Sequence, residues 1–250
     1  MPKDEISSPD GWPESAAAWI ADMGERGDFG REFVLDPRMA ARVQGRDFHQ
    51  ALDVGCGEGR FCRMMRGWGV TPIGIDPTEA LVEEARRREP DGDYRIGRGE
   101  ALDFADGRFD LVVSYLSLID IPDAAAAIAE MASVLRPGGT LLIANLNGFS
   151  TAGAWVRDGE TAVHFAFDRY LEARPEWVGW RGIRIQNWHR PLSDYMTALL
   201  GQGLILRHYD EPAPLGGEPG KADRYRRAPW FHIMEWEKPP APDLKRRSGR

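Results

Sequence analysis

Gly55, Gly57 and Gly59 follow directly after the short apolar run ALDV and precede a run with helical periodicity. Glycine lacks a Cβ, so a bulky ligand can approach the main chain closely, and a helix N-terminus supplies N–H donors without partners in the helix. The spacing is G-x-G-x-G, with Asp53 two residues before the first glycine, whereas the dinucleotide fingerprint is G-x-G-x-x-G. The pattern predicts a ligand cradle and disfavours a nicotinamide dehydrogenase.

A second acidic residue, Asp76, ends the next apolar run, TPIGI, about twenty residues beyond the glycines. A carboxylate at this position can accept hydrogen bonds from both ribose hydroxyls of a nucleoside. Asp76 could instead cap the following helix, because Glu79 stands three positions after it, although Thr78 could serve as that cap. The combined spacing favours a nucleoside whose ribose binds Asp76.

The segments that carry these residues alternate between two patterns. Short β-branched runs predict strands, and the runs between them have helical periodicity. The strand-like runs are ALDV, TPIGI, YRI, DLVVS and TLLIANL, with two more near 204–209 and 230–235. This alternation predicts a Rossmann-like α/β fold, a mostly parallel seven-stranded sheet flanked by helices. Ligands bind such sheets at the carboxyl ends of the strands, where the glycines and Asp76 both fall.

Composition narrows the class of protein further. The 250 residues carry a net charge of -7, which argues against a general phosphate-backbone binder, so we expect no nucleic-acid partner. Cys56 and Cys62 have no His or Cys companions at zinc spacing, so we expect no disulfide and no metal site. The polar N-terminus and the lack of a long apolar run predict a cytoplasmic protein without a membrane partner.

Four motifs in order resemble the class I S-adenosylmethionine-dependent methyltransferases, in particular the small-molecule branch similar to ubiquinone/menaquinone-type enzymes. They are LDVGCGEGRF (52–61), GIDPT (74–78), GRGEALDFADGRFDLVVS (97–114) and LRPGGTLLI (135–143). The resemblance implies S-adenosylmethionine as the cofactor and methyl transfer to a small organic acceptor. It does not identify the acceptor, because one fold serves many substrates.

The resemblance also assigns roles to individual positions. Asp53 and the glycine segment, including Cys56, would hold the methionine part, and Asp76 with Pro77 the ribose. Gly99 and Glu100 would lie at the adenine, and Ser114 and Tyr115 beside the methionine end. Arg98 stands where the family often has an acid for the adenine amino group, so Glu100 or a main-chain carbonyl would substitute. Asp28 and Arg31 resemble a D-x-x-R element of an N-terminal cover, although a surface salt bridge explains them equally well.

We expect a single methyltransferase domain whose parts follow one another along the chain. They are a loose lead-in (1–14), an N-terminal helical cover (15–45), the cofactor-binding core (46–146), an acceptor lid (147–192), the completion of the sheet (193–237) and a disordered tail (238–250).

The region after the fifth strand is rich in aromatic residues and has no clean helical or strand period. Its rings could form a small satellite core that packs onto the sheet. An insertion beside the cofactor edge could equally build the acceptor pocket, and we interpret it as a lid that prefers a planar or apolar acceptor. The candidate acceptor-binding residues are Trp155, Tyr170, Trp180 and Trp188.

Methyl transfer from a sulfonium is an in-line displacement, so alignment and exclusion of water are the main tasks. A hydroxyl acceptor also needs a base, and the candidates are Asp120, His164 and His189. Asp120 stands where relatives often carry histidine, but it could be an ordinary loop carboxylate, and either histidine could be structural. Because bases are available, we favour O-methylation over N-methylation. RNA or protein methylation and a non-catalytic S-adenosylmethionine-binding protein are the alternatives.

Overall fold

The computed structural model describes residues 9–240, which contain eleven strands and eight α-helices. The strands are β1 (Gln50–Val54), β2 (Thr71–Asp76), β3 (Asp93–Ile96), β4 (Phe109–Tyr115), β5 (Leu135–Leu146), β6 (Gly153–Asp158), β7 (Thr161–Phe167), β8 (Arg174–Trp180), β9 (Ile183–His189), β10 (Ile205–Asp210) and β11 (Phe231–Glu237). The helices are α1 (Trp12–Met23), α2 (Asp36–Val43), α3 (Arg60–Gly67), α4 (Glu79–Arg88), α5 (Ala124–Val134), α6 (Gly148–Thr151), α7 (Leu192–Gly201) and α8 (Pro219–Arg227). A π-helical turn (Arg31–Leu35) leads into α2.

Seven strands form one central sheet in the order β10-β11-β5-β4-β1-β2-β3. The five strands from β5 to β3 in this order are mutually parallel, and β10 and β11 join antiparallel at the β5 edge. Both faces are covered by apolar side chains, with α5 and α7 over one face and α2, α3 and α4 over the other. The predicted α/β class and mostly parallel seven-stranded sheet are therefore confirmed.

The turn at residues 136–139 lies within β5 and not between α5 and the strand. β5 begins at Leu135, which pairs with Phe109, and the next pair is Leu111 with Thr140, so the turn is a bulge within the strand. Gly138 adopts φ 78° in this bulge, a left-handed conformation that glycine allows at no steric cost.

The aromatic region after β5 does have regular structure, contrary to the expectation that it has no strand period. It forms two separate antiparallel hairpins, β6–β7 and β8–β9, which belong to neither edge of the central sheet. In β8 the strand period is obscured because bulky rings occupy both faces, Trp177 on one and Trp180 on the other. A bulge between Val156 and Arg157 interrupts β6 as well.

Regular structure at one chain end and side-chain contacts at the other extend past two of the predicted boundaries. The lead-in was expected to extend to residue 14, but α1 starts at Trp12, because Pro13 in the first turn is preorganised for a helix. The tail was expected from residue 238, but the Lys238 ammonium donates to the carbonyls of Ala132, Ser133 and Leu135, which close the α5 end. Residues 1–8 and 241–250, the remainder of both segments, lie outside the described residues. No helix in residues 9–240 combines the length and apolar character needed to span a membrane.

Candidate active site

The glycine turn after β1 is shaped by three left-handed residues: φ is 77° at Gly55, 55° at Gly57 and 78° at Gly59. L-residues with a Cβ rarely adopt this region, so the turn requires glycine. The amides of Gly55 and Cys56 donate to the carbonyl of Ile75, at 2.8 and 2.9 Å, and fix the turn against β2. The turn thereby presents bare main chain at the carboxyl edge of the sheet.

Asp53 lies beneath this turn with its carboxyl group buried. Its Oδ2 accepts a hydrogen bond from Cys62 Sγ at 3.4 Å, while Oδ1 has no partner among the described residues. Burial raises the pKa of Asp53 to about 7; the nearby Asp76 adds to the rise and the Cys62 bond opposes it. A buried acceptor without a donor is costly, so Asp53 is suited to receive one from a ligand.

Asp76 ends β2 and faces the same turn. Its Oδ2 accepts from the Gly57 amide at 3.0 Å, and its Oδ1 accepts from the Thr78 amide at 2.9 Å. Burial raises the pKa of Asp76, and the two amide bonds counteract that rise. The carboxylate thus links the glycine turn to Thr78, the residue before α4, and its role toward a ribose stays a prediction.

A first cavity opens between the glycine turn, the end of β2 and the start of the loop after β4. Most of the residues predicted to hold the cofactor line it, namely Asp53, Gly55, Cys56, Gly57, Asp76, Pro77, Gly99, Glu100 and Tyr115. Acidic side chains outnumber basic ones among the lining residues. A cavity of this charge favours a ligand that carries positive charge.

Two predicted cofactor residues, Gly59 and Ser114, do not line this cavity. A Cβ on Gly59 would lie 2.6 Å from the Tyr94 ring, so this glycine permits the close packing of α3 against β3. Ser114 Oγ lies 2.7 Å from Ser117 Oγ, which in turn donates to the carbonyl of Val54. Ser114 therefore supports the loop after β4, and Ser117 is the serine that faces the cavity.

Arg98, which stands where the resemblance implies an acid, lies beside an acidic residue, Glu100. Arg98 Nη2 forms an ion pair with Glu100 Oε1 at 3.1 Å, and both residues line the first cavity. Gly99 between them packs closely, because a Cβ there would lie 3.0 Å from the side chains of both Val54 and Ile121. Glu100 is thus the acidic group at this end of the first cavity, and Arg98 partly neutralises it.

The wall opposite the sheet comes from residues ahead of the core, most of which the sequence did not identify. Trp12 and Trp19 of α1 line the first cavity, and a Cβ on Gly57 would lie only 3.2 Å from the Trp19 ring. The Arg31 guanidinium lies over Trp19 and Tyr115, at 5.6 and 5.9 Å, with Asp28 Oδ1 at 3.4 Å. Arg31 lines the cavity, so the predicted D-x-x-R element belongs to the site as well as forming a salt bridge.

A second cavity of about 520 Å³ adjoins the first and lies under the β8–β9 hairpin. Trp12, Trp19, Arg31, Leu116 and Asp120 line both cavities, so they mark the junction. The remaining walls of the second cavity are largely aromatic and aliphatic. Among the described lining residues, Arg31 is the only Arg or Lys side chain in this second cavity.

Asp120, the first candidate base, lies at this junction. Its Oδ1 accepts a hydrogen bond from the Asn187 side-chain amide of β9. Burial raises the pKa of Asp120 well above the ordinary aspartate value, Asp76 and Asp10 add to the rise, and Asn187 and Arg31 oppose it. The structure therefore does not leave Asp120 as an ordinary solvated loop carboxylate.

His189 lines the second cavity, but both of its ring nitrogens are already engaged. Nε2 lies 2.9 Å from the carbonyl of Tyr170, and Nδ1 lies 2.6 Å from Thr151 Oγ1. A carbonyl only accepts, so Nε2 carries a proton. Because neither nitrogen is free to receive an acceptor's proton, His189 fits a structural role between the hairpins and α6 and does not fit a base.

His164 is exposed on β7, opposite Val156, and lines neither cavity. The placement of His164 does not support the predicted catalytic role, because a base must reach its proton within hydrogen-bond distance or through one water. The sequence offered no means of placing it, since it lies on a hairpin that was not predicted.

Of the four aromatic candidates, only Trp180 lines the second cavity, where its indole N–H donates to Asp22 of α1 at 3.1 Å. Trp155 packs edge-to-face with Phe165, and Tyr170 stacks on Phe149. Trp188 lies against the Arg190 guanidinium at 5.2 Å. These three rings line neither cavity, so their placement does not support the predicted contact with the acceptor.

The two cavities together place a site lined by main chain and acidic side chains beside a chamber with apolar walls, and the half-buried carboxyl group of Asp120 lies between them. Such an arrangement suits transfer of a small group from a bound nucleoside to a second molecule, with water excluded and a proton acceptor at hand.

Comparison with known proteins agrees with this geometry. Residues 52–143 match the family model described as a methyltransferase domain, which confirms the resemblance carried by the motifs. The chain is 32% identical over 155 residues to a malonyl-[acyl-carrier protein] O-methyltransferase of Serratia marcescens, covering 60% of this chain and 56% of that protein. It is 30% identical over 126 residues to a ubiquinone biosynthesis O-methyltransferase of Mesorhizobium japonicum, covering 49% of each. The chain thus spans about half the length of these relatives.

Solved structures show the same fold. An S-adenosylmethionine dependent methyltransferase from Mesorhizobium loti superposes with a TM-score of 0.74 at 24% identity, covering 86% of this chain and 100% of that chain. A second S-adenosylmethionine dependent methyltransferase structure, from Listeria monocytogenes, gives a TM-score of 0.72, also at 24% identity, covering 80% of this chain and 95% of that chain. The matched methyltransferase domain and the fold together imply S-adenosylmethionine as the cofactor.

Proposed function

We propose that this chain, whose residues 52–143 match a methyltransferase domain, transfers a methyl group from S-adenosylmethionine to a hydroxyl group of a small planar or apolar acceptor. The observation that carries the proposal is the position of Asp120, a half-buried carboxyl at the junction of the two cavities. A base in this place meets an acceptor atom beside the cofactor, and an amine acceptor would not require it.

The residues of the first cavity fit the cofactor group by group. The unpartnered Asp53 Oδ1 suits the ammonium of the methionine part, and Arg31 supplies a cation for its carboxylate. Asp76 suits the ribose hydroxyls, and Glu100 lies in the adenine region. When bound, S-adenosylmethionine supplies a methyl group activated by its attachment to a sulfonium.

The second cavity supports the choice of a small acceptor. Trp180, Trp230 and Phe231 provide apolar walls, and the chamber of about 520 Å³ is within the size range of small-molecule pockets. The net charge of -7 favours a small acceptor over nucleic acid. A planar or apolar molecule would cover these rings and displace water from Asp120.

In the proposed step, Asp120 in its ionised form takes the hydroxyl proton while the acceptor oxygen takes the methyl group. The carbon–sulfur bond breaks, the sulfur keeps the bonding electrons as a neutral thioether, and Asp120 later releases its proton to solvent. Trp19 and the hairpin over the second cavity exclude water during transfer.

The test measures transfer of tritiated methyl from S-adenosylmethionine to catechol, with aniline and total RNA as competing acceptor classes. We expect label in catechol, and a rate that rises with pH through the raised pKa of Asp120, because only the carboxylate accepts a proton. Asp120→Asn should lower kcat by about 100-fold or more and remove this limb of the pH profile.

Binding of S-adenosylhomocysteine to Asp120→Asn serves as the control, since its affinity should stay near that of the unchanged protein. Transfer to aniline but not to catechol would contradict O-methylation. A pH limb that survives in Asp120→Asn would assign the base elsewhere.

A further inference from the structure

Asn187 contacts the proposed base although it lies outside the segment that matches the methyltransferase domain. Its side-chain amide donates to Asp120 Oδ1, and its side chain lines the second cavity. It lies near the end of β9, in the hairpin that follows β5 and α6. No catalytic motif in the sequence pointed to it.

We infer that Asn187 is a positioning residue for methyl transfer: it holds Oδ1 of Asp120, which leaves Oδ2 as the oxygen that takes the acceptor's proton. This inference rests on the proposed function. A carboxyl group with one oxygen bonded to a fixed amide loses its rotational freedom, so its other oxygen keeps one orientation toward the cavity.

The main chain around Asn187 fixes the loop that carries Asp120. The Trp188 amide donates to the carbonyl of Ile119 at 2.7 Å. The Arg190 guanidinium, which is buried, donates to the carbonyls of Leu118, Ile121 and Pro122, at 3.2, 2.7 and 2.7 Å. Carbonyls on both sides of Asp120 are thus held by a segment of four residues, 187–190.

The charged groups around Asp120 make the contribution of Asn187 measurable. Asp76 and Asp10 disfavour its ionisation, whereas Arg31 and the Asn187 amide favour it. His189, two residues along β9, directs its ring nitrogens at Thr151 and Tyr170 and so does not face the carboxyl. Asn187 is therefore the only uncharged side chain known to favour the carboxylate form among the described residues.

The experiment follows Asp120 directly and needs no acceptor. Protein with ¹³C-labelled aspartate carboxyl groups is titrated by NMR in its complex with S-adenosylhomocysteine, and the Asp120 signal is identified by its loss in Asp120→Asn. Asn187→Leu should move the Asp120 midpoint up by about one pH unit, because a hydrogen bond to the charged form is lost. Gln186→Leu is the matched control, since Gln186 neighbours Asn187 but its side chain lines neither cavity.

With catechol as the acceptor, the alkaline-rising limb of kcat/KM should move by the same amount in Asn187→Leu, while the affinity for S-adenosylhomocysteine stays unchanged. If Asn187→Leu fails to fold, Asn187→Asp retains the shape of the side chain. It should raise the Asp120 midpoint further, because two adjacent carboxyl groups disfavour a second charge.

An Asp120 midpoint that stays the same in a folded Asn187 variant overturns the inference and leaves the proposed function intact. A midpoint that shifts while the unchanged protein methylates no acceptor overturns the proposed function, and the positioning role of Asn187 falls with it. A fall in kcat without any shift of the limb assigns Asn187 a purely structural role and also overturns the inference.

Discussion

The first cavity, the cofactor half of the site, depends on the main chain, whereas the second cavity, the acceptor half, depends on side chains. The first depends on main-chain geometry, with Gly55 and Gly57 in left-handed conformations and two buried carboxylates at strand ends. The second depends on side chains from α1 and from the hairpin β8–β9, many of them only partly buried. Backbone requirements restrict which residues can occur, whereas an apolar wall accepts many different residues. The first half is thus largely recognisable from sequence, whereas most of the walls of the second half are not.

The largest effect should come from breaking the cofactor half at Gly57. Valine there would place a β-branched side chain at φ 55°, with its Cβ 3.2 Å from Trp19. We expect Gly57→Val to weaken S-adenosylhomocysteine binding by about 100-fold or more, measured by calorimetry, because the turn and the ligand space are both disturbed.

Gly138→Val is the control for this substitution, since Gly138 has φ 78° and a Cβ there would meet no heavy atom within 4 Å. It should show the same left-handed strain but retain cofactor affinity. Equal loss of affinity in both variants would mean that strain, and not the cradle, accounts for the effect.

A smaller effect should appear in the pH dependence of cofactor binding, which involves Asp53 of the cofactor half. The ammonium of S-adenosylhomocysteine favours ionised Asp53, whose pKa in the unliganded protein is raised to about 7. The affinity should therefore rise about tenfold from pH 6 to pH 8, as the proton leaves. Asp53→Asn should abolish the rise, and calorimetry at both pH values measures it.

The raised pKa of Asp53 should affect protein stability in the opposite direction to ligand affinity: stability should fall as pH rises. The folded, unliganded protein holds the Asp53 proton to a higher pH than the unfolded chain does. Its contribution to stability should fall as pH rises from about 4 to about 7 and stay low above that. A thermal denaturation series on Asp53→Asn that keeps this decline would place its origin in another group.

The smallest expected effect separates two tryptophans within the acceptor half. Trp180 lines the second cavity, so Trp180→Ala should raise the acceptor's KM several-fold, about 1 kcal/mol, with little change in cofactor affinity. Trp188 packs behind the wall against Arg190, so Trp188→Ala should instead lower the melting temperature. Steady-state rates with catechol and thermal denaturation distinguish the two, and equal KM effects would contradict the distinction.

The order of the central elements could be predicted because each strand is short, β-branched and bounded by turn residues, as at TPIGI before Asp76. α8 was not predicted because it is almost wholly polar and so has no apolar periodicity. It starts at Pro219, and the Glu218 side chain caps it. The β8–β9 hairpin was not predicted because large rings lie on both of its faces, Trp177 and Trp188 on one and Trp180 on the other, which removes the alternation that predicts a half-exposed strand.

The candidate site divides in the same way. Asp53 and Asp76 are adjacent in sequence to the turn and the strand ends that position them, so spacing was sufficient to find them. The contact between Asp120 and Asn187 joins residues 67 positions apart, and that between Trp19 and Gly57 joins two separate elements. Neither leaves a local pattern. Ser114 and Gly59 were assigned to the cofactor because position alone does not reveal which side of a turn faces a ligand.

The burial of Cys56 and Cys62 means that the reactivity of these thiols reports local opening of the cofactor half. They are the chain's two cysteines, both lie within or just beyond the glycine turn, and burial raises the pKa of each thiol. A protonated, inaccessible thiol does not react with an alkylating reagent, so modification must wait for the turn to open. The rate of alkylation therefore measures how often the turn opens. A bound nucleoside should lower this rate, and the measurement requires no label.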